Sequence, residues 1–481
     1  MGHIRHTIFY ITNDPERALG LEILLPNYHI ICIDDNPIID YIVEKGGKVF
    51  CLERELGKTN PIFRNSNRLI NEKVVQQYID KNTPPNEAPK VMFFKIAKNI
   101  EKTCERLNYR VLNSSSELNK RFETKISQYE MLKDEGVNFP TTKIGLLGDF
   151  NYDNLKSELG EDFVIQYSRG HTGSGTFFNR DEESFRSEQS LYPKREAKIT
   201  RRIYGDSWTI NACVSRFGIL YGGLSYQITG ISELVNREGG TVGNDWSQSQ
   251  LLSEFSKEQI KKITEKVGKV MRRNRFKGLF GLDFIVDNNG EVFLIEVNAR
   301  QPASTSVHTK YMTELGIIPM QIFHIAEYLY QDDEEYLSFL RGVFKAMSNT
   351  GKYKVDFDAQ IKNEFDAVSL RKKTNEIGME SFNLSQVFYR NIESQLVKVV
   401  KSLKPGIYKY DKDLVWIRKG YSISDIINED EFLLLSQSKG KNISPGNEAS
   451  RIQLKSGSID KKGNLYDWIT KTLHSITLEK A

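Results

Sequence analysis

The sequence predicts an α/β protein of several parts: a small parallel α/β domain, a mixed α+β core, and a β-rich C-terminal domain. Three observations carry that expectation. Apolar strand candidates alternate with helical stretches over residues 1–112, a glycine-rich strand–loop–strand and an acid-bearing hairpin fall within 113–330, and short strands crowd residues 386–481. The intervening residues 331–385 are charged and read as helix or linker.

In the first domain "TIFYI" (7–11), "YHIICI" (28–33) and "KVFCLE" (48–53) are strands, and Pro15 opens a helical stretch after the first. A helix over 66–81 ends at the breaker "TPPNEAP" (83–89), and "VMFF" and "YRVL" flank another over 96–107. The loop "TNDPERALG" lacks GxGxxG, so Asp34-Asp35 reads as a solvated strand end rather than the ribose acid of a dinucleotide site. Ser114-Ser115-Ser116-Glu117 has capping-box spacing ahead of a helical region that stops at Gly136 and Pro140. "FVIQYSRGHTGSGTFF" (163–178) is a strand–glycine loop–strand, and "AKITRRI", "SWTINACV" and "GILYGGLSYQIT" are further strands. Ser256-Lys257-Glu258-Gln259 repeats the cap spacing before a stripe of Ile260, Ile263, Val267, Val270 and Met271, and a helix over 319–331 closes the core. Towards the C-terminus "QVFYR", "QLVKVV", "GIYKY", "LVWIRK", "EFLLL" and "RIQLK" are strands before a helix over 464–475, with Tyr408, Tyr410 and Trp416 read as their core.

Composition excludes several classes. The 67 basic and 63 acidic residues leave a net charge of +4, which makes no electrostatic case for nucleic acid or a membrane surface. Cys32, Cys51, Cys104 and Cys213 show no CxxC spacing and read as reduced, buried thiols of a cytoplasmic protein. The seven histidines form no HExxH, so zinc is not expected. No secretory pattern opens the chain and no apolar run approaches a membrane span.

The hairpin "GLDFIVDNNGEVFLIEVNARQPAS" (281–304) carries the densest pattern. Asn289-Gly290 is a strong two-residue turn signal, because both positions tolerate positive φ. That turn sets Asp283 opposite Glu296. Period-two alternation then puts Leu282, Phe284, Val286, Phe293, Ile295 and Val297 on one face, and Asp283, Glu296, Asn298 and Arg300 on the other. Opposed like charges destabilise a strand pair, so solvent or a cation must offset them. Such oxygens suit a hard ion like Mg²⁺; a half-buried hairpin with a wet polar side fits the pattern equally.

In the glycine loop, Gly170, Gly173 and Gly175 free backbone amides to approach phosphate oxygens, and Thr172, Ser174 and His171 add donors. A plain hairpin turn with a solvated histidine has the same composition.

Taken in order, Lys125 with "EGVNFP" (135–140), the 170–175 loop, "RRIYGDSWTI" (201–210), "GLDFI" and "IEVNAR" resemble the ATP-grasp superfamily over residues 113–330. The resemblance implies an ATP-grasp core with a lid subdomain over about 141–205, binding ATP with a pair of Mg²⁺ ions, or Mn²⁺ in their place. Asp283, Glu296 and Asn298 would hold the metal. Arg300 would face the γ-phosphate or an acyl phosphate, and Lys125 would contact the phosphates. The 170–175 loop would close over them, and the backbone at Arg201, Arg202 and Ile203 would meet the adenine edge. Two positions depart from the family pattern. Gln166 stands where relatives carry lysine, and Ser207 stands where they carry the ribose-binding glutamate, with Asp206 beside it as a substitute.

The implied activity is an ADP-forming carboxylate–amine ligase acting on an amino acid or peptide through an acyl phosphate. Arg237 in the loop 230–248, and Gln301 and Ser304 after the hairpin, are candidate substrate residues; a surface loop is the alternative for the first. The implied partners are a small-molecule or peptide carboxylate and an amine, with a homodimer among the options for assembly. Gln166 and Ser207 motivate a rival reading, an ATP-binding regulatory or interaction protein with a degenerate core. A ligase with a thiol or bicarbonate acceptor is a third; no biotin-carrier segment supports carboxylation.

Overall fold

A computed structural model describes residues 6–57, 64–168, 175–348, 367–460 and 463–481. The first strands form a five-stranded parallel sheet. Ile8–Ile11 lies at its centre, Tyr28–Cys32 and Lys48–Cys51 on one side, and Lys90–Phe93 and Arg110–Val111 on the other. The strand order therefore reverses between Ile8–Ile11 and Lys90–Phe93, and such a switch point opens a crevice at the strands' carboxyl ends. Arg17 and Phe94, each just beyond one of those strands, stand in that crevice and line the main cavity. The stretch after Pro15 is only a short 3-10 turn, Pro15–Ala18, capped by Asp14.

Two of the expected caps shift. Ser115, not Ser114, caps the helix Ser116–Glu123 through the Leu118 amide, while Ser114 exchanges hydrogen bonds with the Lys277 backbone. The long helix Glu254–Arg273 starts one turn earlier than expected, capped by Ser253. Its stripe of Ile260, Ile263, Val267, Val270 and Met271 packs in one buried cluster with Leu282, Phe284, Val292, Leu294 and Val297 of the hairpin. That layer of apolar contact fixes the hairpin's orientation.

Most of the C-terminal strands continue the central sheet, while Val397–Lys401, Asn442–Ile443 and Thr477–Lys480 form a small sheet of their own. Thr241–Asp245 pairs with Ser385–Arg390, so a ten-stranded sheet runs from the hairpin strand Val292–Asn298 to Asp413–Arg418 at its far edge. A four-stranded sheet stands apart from it: Thr142–Leu146, Glu196–Arg201, Phe163–Tyr167 and Thr176–Asn179, in that spatial order. Its own core is built on Leu155, Phe163, Ile165, Phe185 and Ile199.

Charge is buried where the N-terminal domain meets the C-terminal strands. Asp34 is buried, paired with Arg64 at 2.6 Å and Lys441 at 3.2 Å, so it is no solvated strand end. Its neighbour Asp35 stays partly exposed beside Arg54. Lys441 also meets Glu53 at 2.6 Å, and Arg451 meets Glu16 at 3.3 Å. These partners lie far apart in the chain, which is why local reading mistook Asp34. Of the C-terminal aromatics, Tyr408 is buried, but Trp416 lies exposed on the edge strand beneath Lys404. All four cysteines are buried free thiols. No helix among the described residues is long and apolar enough to cross a membrane.

Candidate functional site

The hairpin strands are Gly278–Asp287 and Val292–Asn298. Asp283 lies opposite Glu296 as expected, but by another route. The loop has three residues, closed by Gly290 N–H to the Asp287 carbonyl and by Asp287 N–H to the Glu291 carbonyl. Gly290 takes φ +82°, where a side chain is strained. The Asp287 carboxylate accepts from the Asn289 and Glu291 amides, which holds this three-residue turn. Its register differs by one residue, and a bulge between Asp283 and Phe284 restores the pairing at the acids.

The bulge also changes the faces. Val292 and Leu294 are buried with Phe284, Val286 and Val297, whereas Phe293 and Ile295 are not. The expected apolar face therefore holds on the first strand and at Val297 but fails at Phe293 and Ile295. An extra residue in one strand resets the alternation, and Ile295 joins Glu296 in lining the cavity.

This strand is a sheet edge, and its free backbone groups are covered. Gln128, buried in the helix Lys125–Leu132, accepts from the Val297 amide at 2.8 Å and reaches the Ile295 carbonyl at 3.5 Å. Asn138 accepts from the Leu294 amide and donates to the Val292 carbonyl, each at 2.9 Å. The same helix begins with Lys125, whose ammonium meets Glu296 at 2.7 Å.

The acids sit in one charged network. Asn298 Nδ2 donates to Asp283 Oδ2 at 2.9 Å, Thr209 hydrogen-bonds Asp283, and Arg300 donates to Asn298 Oδ1 at 2.8 Å. Arg300 also pairs with Glu123 at 3.0 Å and lies over the Phe94 ring. Burial and then the Glu296 charge push the Asp283 carboxyl up to about 6. Burial raises Glu296 too, but Lys125, with Arg300 and Lys198, outweighs it and holds this carboxyl below its ordinary value. Among the described residues no three His, Cys, Asp or Glu side chains cluster for a metal. Two carboxylates and an amide oxygen instead fit Mg²⁺, which takes one or two carboxylates and shares the rest with phosphate and water.

The charged network lines a cavity of about 1450 Å³ walled by the hairpin, the separate sheet, the N-terminal crevice and the C-terminal strands. Lys125, Gln166, Gly175, Arg201, Arg202, Ile203, Ser207, Arg237, Asp283, Glu296, Asn298, Arg300 and Ser304 all contribute to its lining. Gly170, His171, Thr172, Gly173 and Ser174 lie outside the described residues. Arg202 is engaged by Glu238 at 2.8 Å and lies over Phe178 and Tyr204.

Two candidates do not belong to the cavity. Asp206 pairs with Val286 while Ser207 pairs with Ile285, so alternation turns Asp206 to the opposite face, towards Tyr226. It cannot stand in for Ser207. Gln301 is buried, accepting from Tyr10 Oη at 3.0 Å and donating to the Arg17 carbonyl at 3.2 Å, so it ties the hairpin to the N-terminal domain. Ser304 reaches the cavity but exchanges hydrogen bonds with Asn211.

Sequence reasoning missed Lys198, Thr209, Arg17, Phe94 and Arg390, all cavity-lining. Lys198 lies directly opposite Gln166 across the strands Phe163–Tyr167 and Glu196–Arg201. Burial, and then the nearby Lys125 charge, pull its ammonium down to about 7. The signal was the alternation Lys198, Thr200 in "AKITRRI", which gains meaning only once that strand's neighbour is known.

Residues 122–304 match the family model for an ATP-grasp domain. No curated protein matches the sequence. Among solved structures, the biotin carboxylase of Campylobacter jejuni in complex with an ATP analogue is 13% identical, with a TM-score of 0.55 over 100% of this chain and 93% of that one. The biotin carboxylase domain of Hydrogenobacter thermophilus 2-oxoglutarate carboxylase, bound to MgADP and bicarbonate, is 14% identical at TM-score 0.55, over 93% and 86%. The Aspergillus clavatus N5-carboxyaminoimidazole synthase, bound to ADP and 5-aminoimidazole ribonucleotide, is 11% identical at TM-score 0.52, over 96% of each chain. These likenesses extend the shared fold beyond the matched domain to nearly the whole chain.

Proposed function

On the premise that residues 122–304 are an ATP-grasp domain, we propose that the protein is an ADP-forming ligase joining the carboxylate of an amino acid or peptide to an amine. The observation that carries this reading is the convergence of Asp283, Glu296, Asn298, Arg300 and Lys125 in one cavity. At about 1450 Å³ that cavity exceeds the usual range for a single small ligand, so a nucleotide and a second substrate fit together.

A carboxylate is a poor electrophile because oxide would have to leave. Attack of its oxygen on the γ-phosphorus of ATP expels ADP and gives an acyl phosphate. The amine then attacks the acyl carbon, loses a proton, and phosphate departs. Mg²⁺ held by Asp283, Glu296 and Asn298 would neutralise the phosphate oxygens. Arg300, oriented by Asn298 and Glu123, offers its guanidinium where charge develops on the transferred phosphoryl group. Lys125 would contact the phosphate chain, and Ile203, Ile285 and Ile295 would offer apolar surface to the base.

Beyond the acids the cavity is lined by Arg17, Arg237 and Arg390, with Phe94 and Phe388. Arg17 lies over the Phe94 ring at 4.8 Å, beside Arg300 at 5.2 Å on the same ring. Cations at that end favour a substrate with a carboxylate besides the reacting one, as in an amino acid or peptide. The four buried unbridged thiols support a cytoplasmic site of action.

The test is ADP release from ATP and Mg²⁺ over pooled amino acids, small peptides and, separately, bicarbonate, with hydroxylamine present. Hydroxylamine traps an acyl phosphate as a hydroxamate, which identifies the acid without knowledge of the amine. Pool-dependent ADP with a matching hydroxamate is expected. ADP release driven by bicarbonate alone would replace the amino acid with a one-carbon acid, and no turnover over any pool would return the protein to a binding role.

A further inference from the structure

We propose that Lys198, on the strand beside Gln166, supplies the positive charge that holds the nucleotide's phosphate chain, so that the lid binds phosphate from a strand other than the one entering the glycine loop. The inference rests on the ATP-dependent reading above and identifies a binding residue within it.

The geometry is specific. Gln166 and Lys198 are directly opposed in the antiparallel pair Phe163–Tyr167 and Glu196–Arg201, so their side chains share one face. Both are buried and both line the cavity. Thr200, two residues further along the same face, lines it too. The lysine ammonium and the glutamine amide therefore occupy neighbouring places, and a charge at either reaches much the same space.

The ammonium is also poorly compensated. Lysine is almost never fully buried unless paired, yet only 1% of Lys198 is exposed. Among the described residues its contacts are the rings of Tyr129 at 5.9 Å and Phe139 at 5.7 Å, near the outer limit for cation–π attraction. Glu296, the acid on this side, is already engaged by Lys125. Lys125 and Lys198 thus share Glu296 as the one carboxylate that acts on Lys198, and the lowered basicity of Lys198 reflects the same imbalance. A polyanion with several oxygens removes it, because each ammonium then gains charge-assisted hydrogen bonds.

The test measures dissociation constants of Mg-ATP, Mg-ADP and adenosine for the full chain by calorimetry. Lys198→Met is expected to weaken ATP and ADP about 10–100-fold while moving adenosine less than about 2-fold. The exchange variant Gln166→Lys/Lys198→Gln is expected to restore ATP affinity to within about 5-fold, since it returns the charge to the opposed position. A wild-type chain that binds no nucleotide ends the ligase reading itself. Two results overturn this inference alone: Lys198→Met binding ATP as tightly as wild type, or losing adenosine and ATP in equal proportion, as a purely structural lysine would. Should Lys198→Met fail to fold, the exchange variant decides: a folded exchange variant without ATP affinity overturns the proposal.

Discussion

The acid hairpin and the separate four-stranded sheet border the same cavity, but they assemble their polar groups differently. In the hairpin, Asp283, Glu296, Asn298 and Arg300 come from one continuous stretch, and their partners Lys125 and Gln128 come from a single helix turn. In the four-stranded sheet, the groups facing the cavity come from strands with an intervening helix, Glu182–Leu191, and meet only through pairing. The hairpin is buried against a long helix and shares the molecule's largest sheet. The four-stranded sheet has a small core of its own, separate from the cluster behind the hairpin. The acids are thus placed by contacts local in the chain, and Lys198 facing them by pairing between strands distant in it.

The sharpest way to break that comparison is at the acids. Asp283→Asn or Glu296→Gln should lower turnover at least ~1000-fold with the fold intact, read by ADP release and circular dichroism. Activity within tenfold of wild type in either variant would sink the assignment of the hairpin as the metal site.

The hairpin's anchoring should also respond to pH. His324 Nδ1 accepts the Leu279 amide at 3.0 Å, so Nε2–H donates to the Leu112 carbonyl at 2.8 Å, and burial pulls this imidazole down to about 4. Its unfolded value is near 6.5, so the unfolded chain binds the extra proton first as pH falls. The contribution is present above about 6.5 and is lost between there and about 4, a span worth up to ~3 kcal/mol. His324→Gln keeps an acceptor and a donor without a titrating ring, so it should flatten that part of the stability profile. Denaturation at pH 7 and 4.5 measures it; equal losses in both proteins would remove His324 from the account.

A smaller effect is expected at the covered sheet edge. Gln128→Leu leaves the buried Val297 amide unpaired and should cost about 1–3 kcal/mol of stability, with a loss of turnover because Glu296 sits between its two contacts. Unchanged stability and turnover would show that the bulge holds itself. The smallest effect separates neighbours in the strand Gly205–Ser215. Ser207→Ala should raise the KM for ATP about 3-fold, roughly one neutral hydrogen bond, whereas Asp206→Ala should leave it unchanged. A KM effect at Asp206 would mean that the strand turns its other face to the ribose.

Much of the site was legible in the chain because its chemistry is local. Acid opposite acid follows from a short hairpin, and "IEVNAR" carries two of the proposed metal ligands and the arginine within six residues. Composition and periodicity were enough for the parallel domain at the start, the apolar stripe of Glu254–Arg273 and the strand-rich end. What failed were the features that depend on distant partners. The bulge at Asp283/Phe284 reset the faces of Phe293 and Ile295, and the pairing of Asp34 with Lys441 turned an apparent solvent-facing acid into a buried one. The join of Thr241–Asp245 to Ser385–Arg390 made most of the C-terminal strands part of the central sheet. Lys198 shows the division most plainly. Its residue type and strand were visible in the sequence, but its place opposite Gln166 was not, because strand order and register are set by long-range hydrogen bonding and burial, which no window along the chain contains.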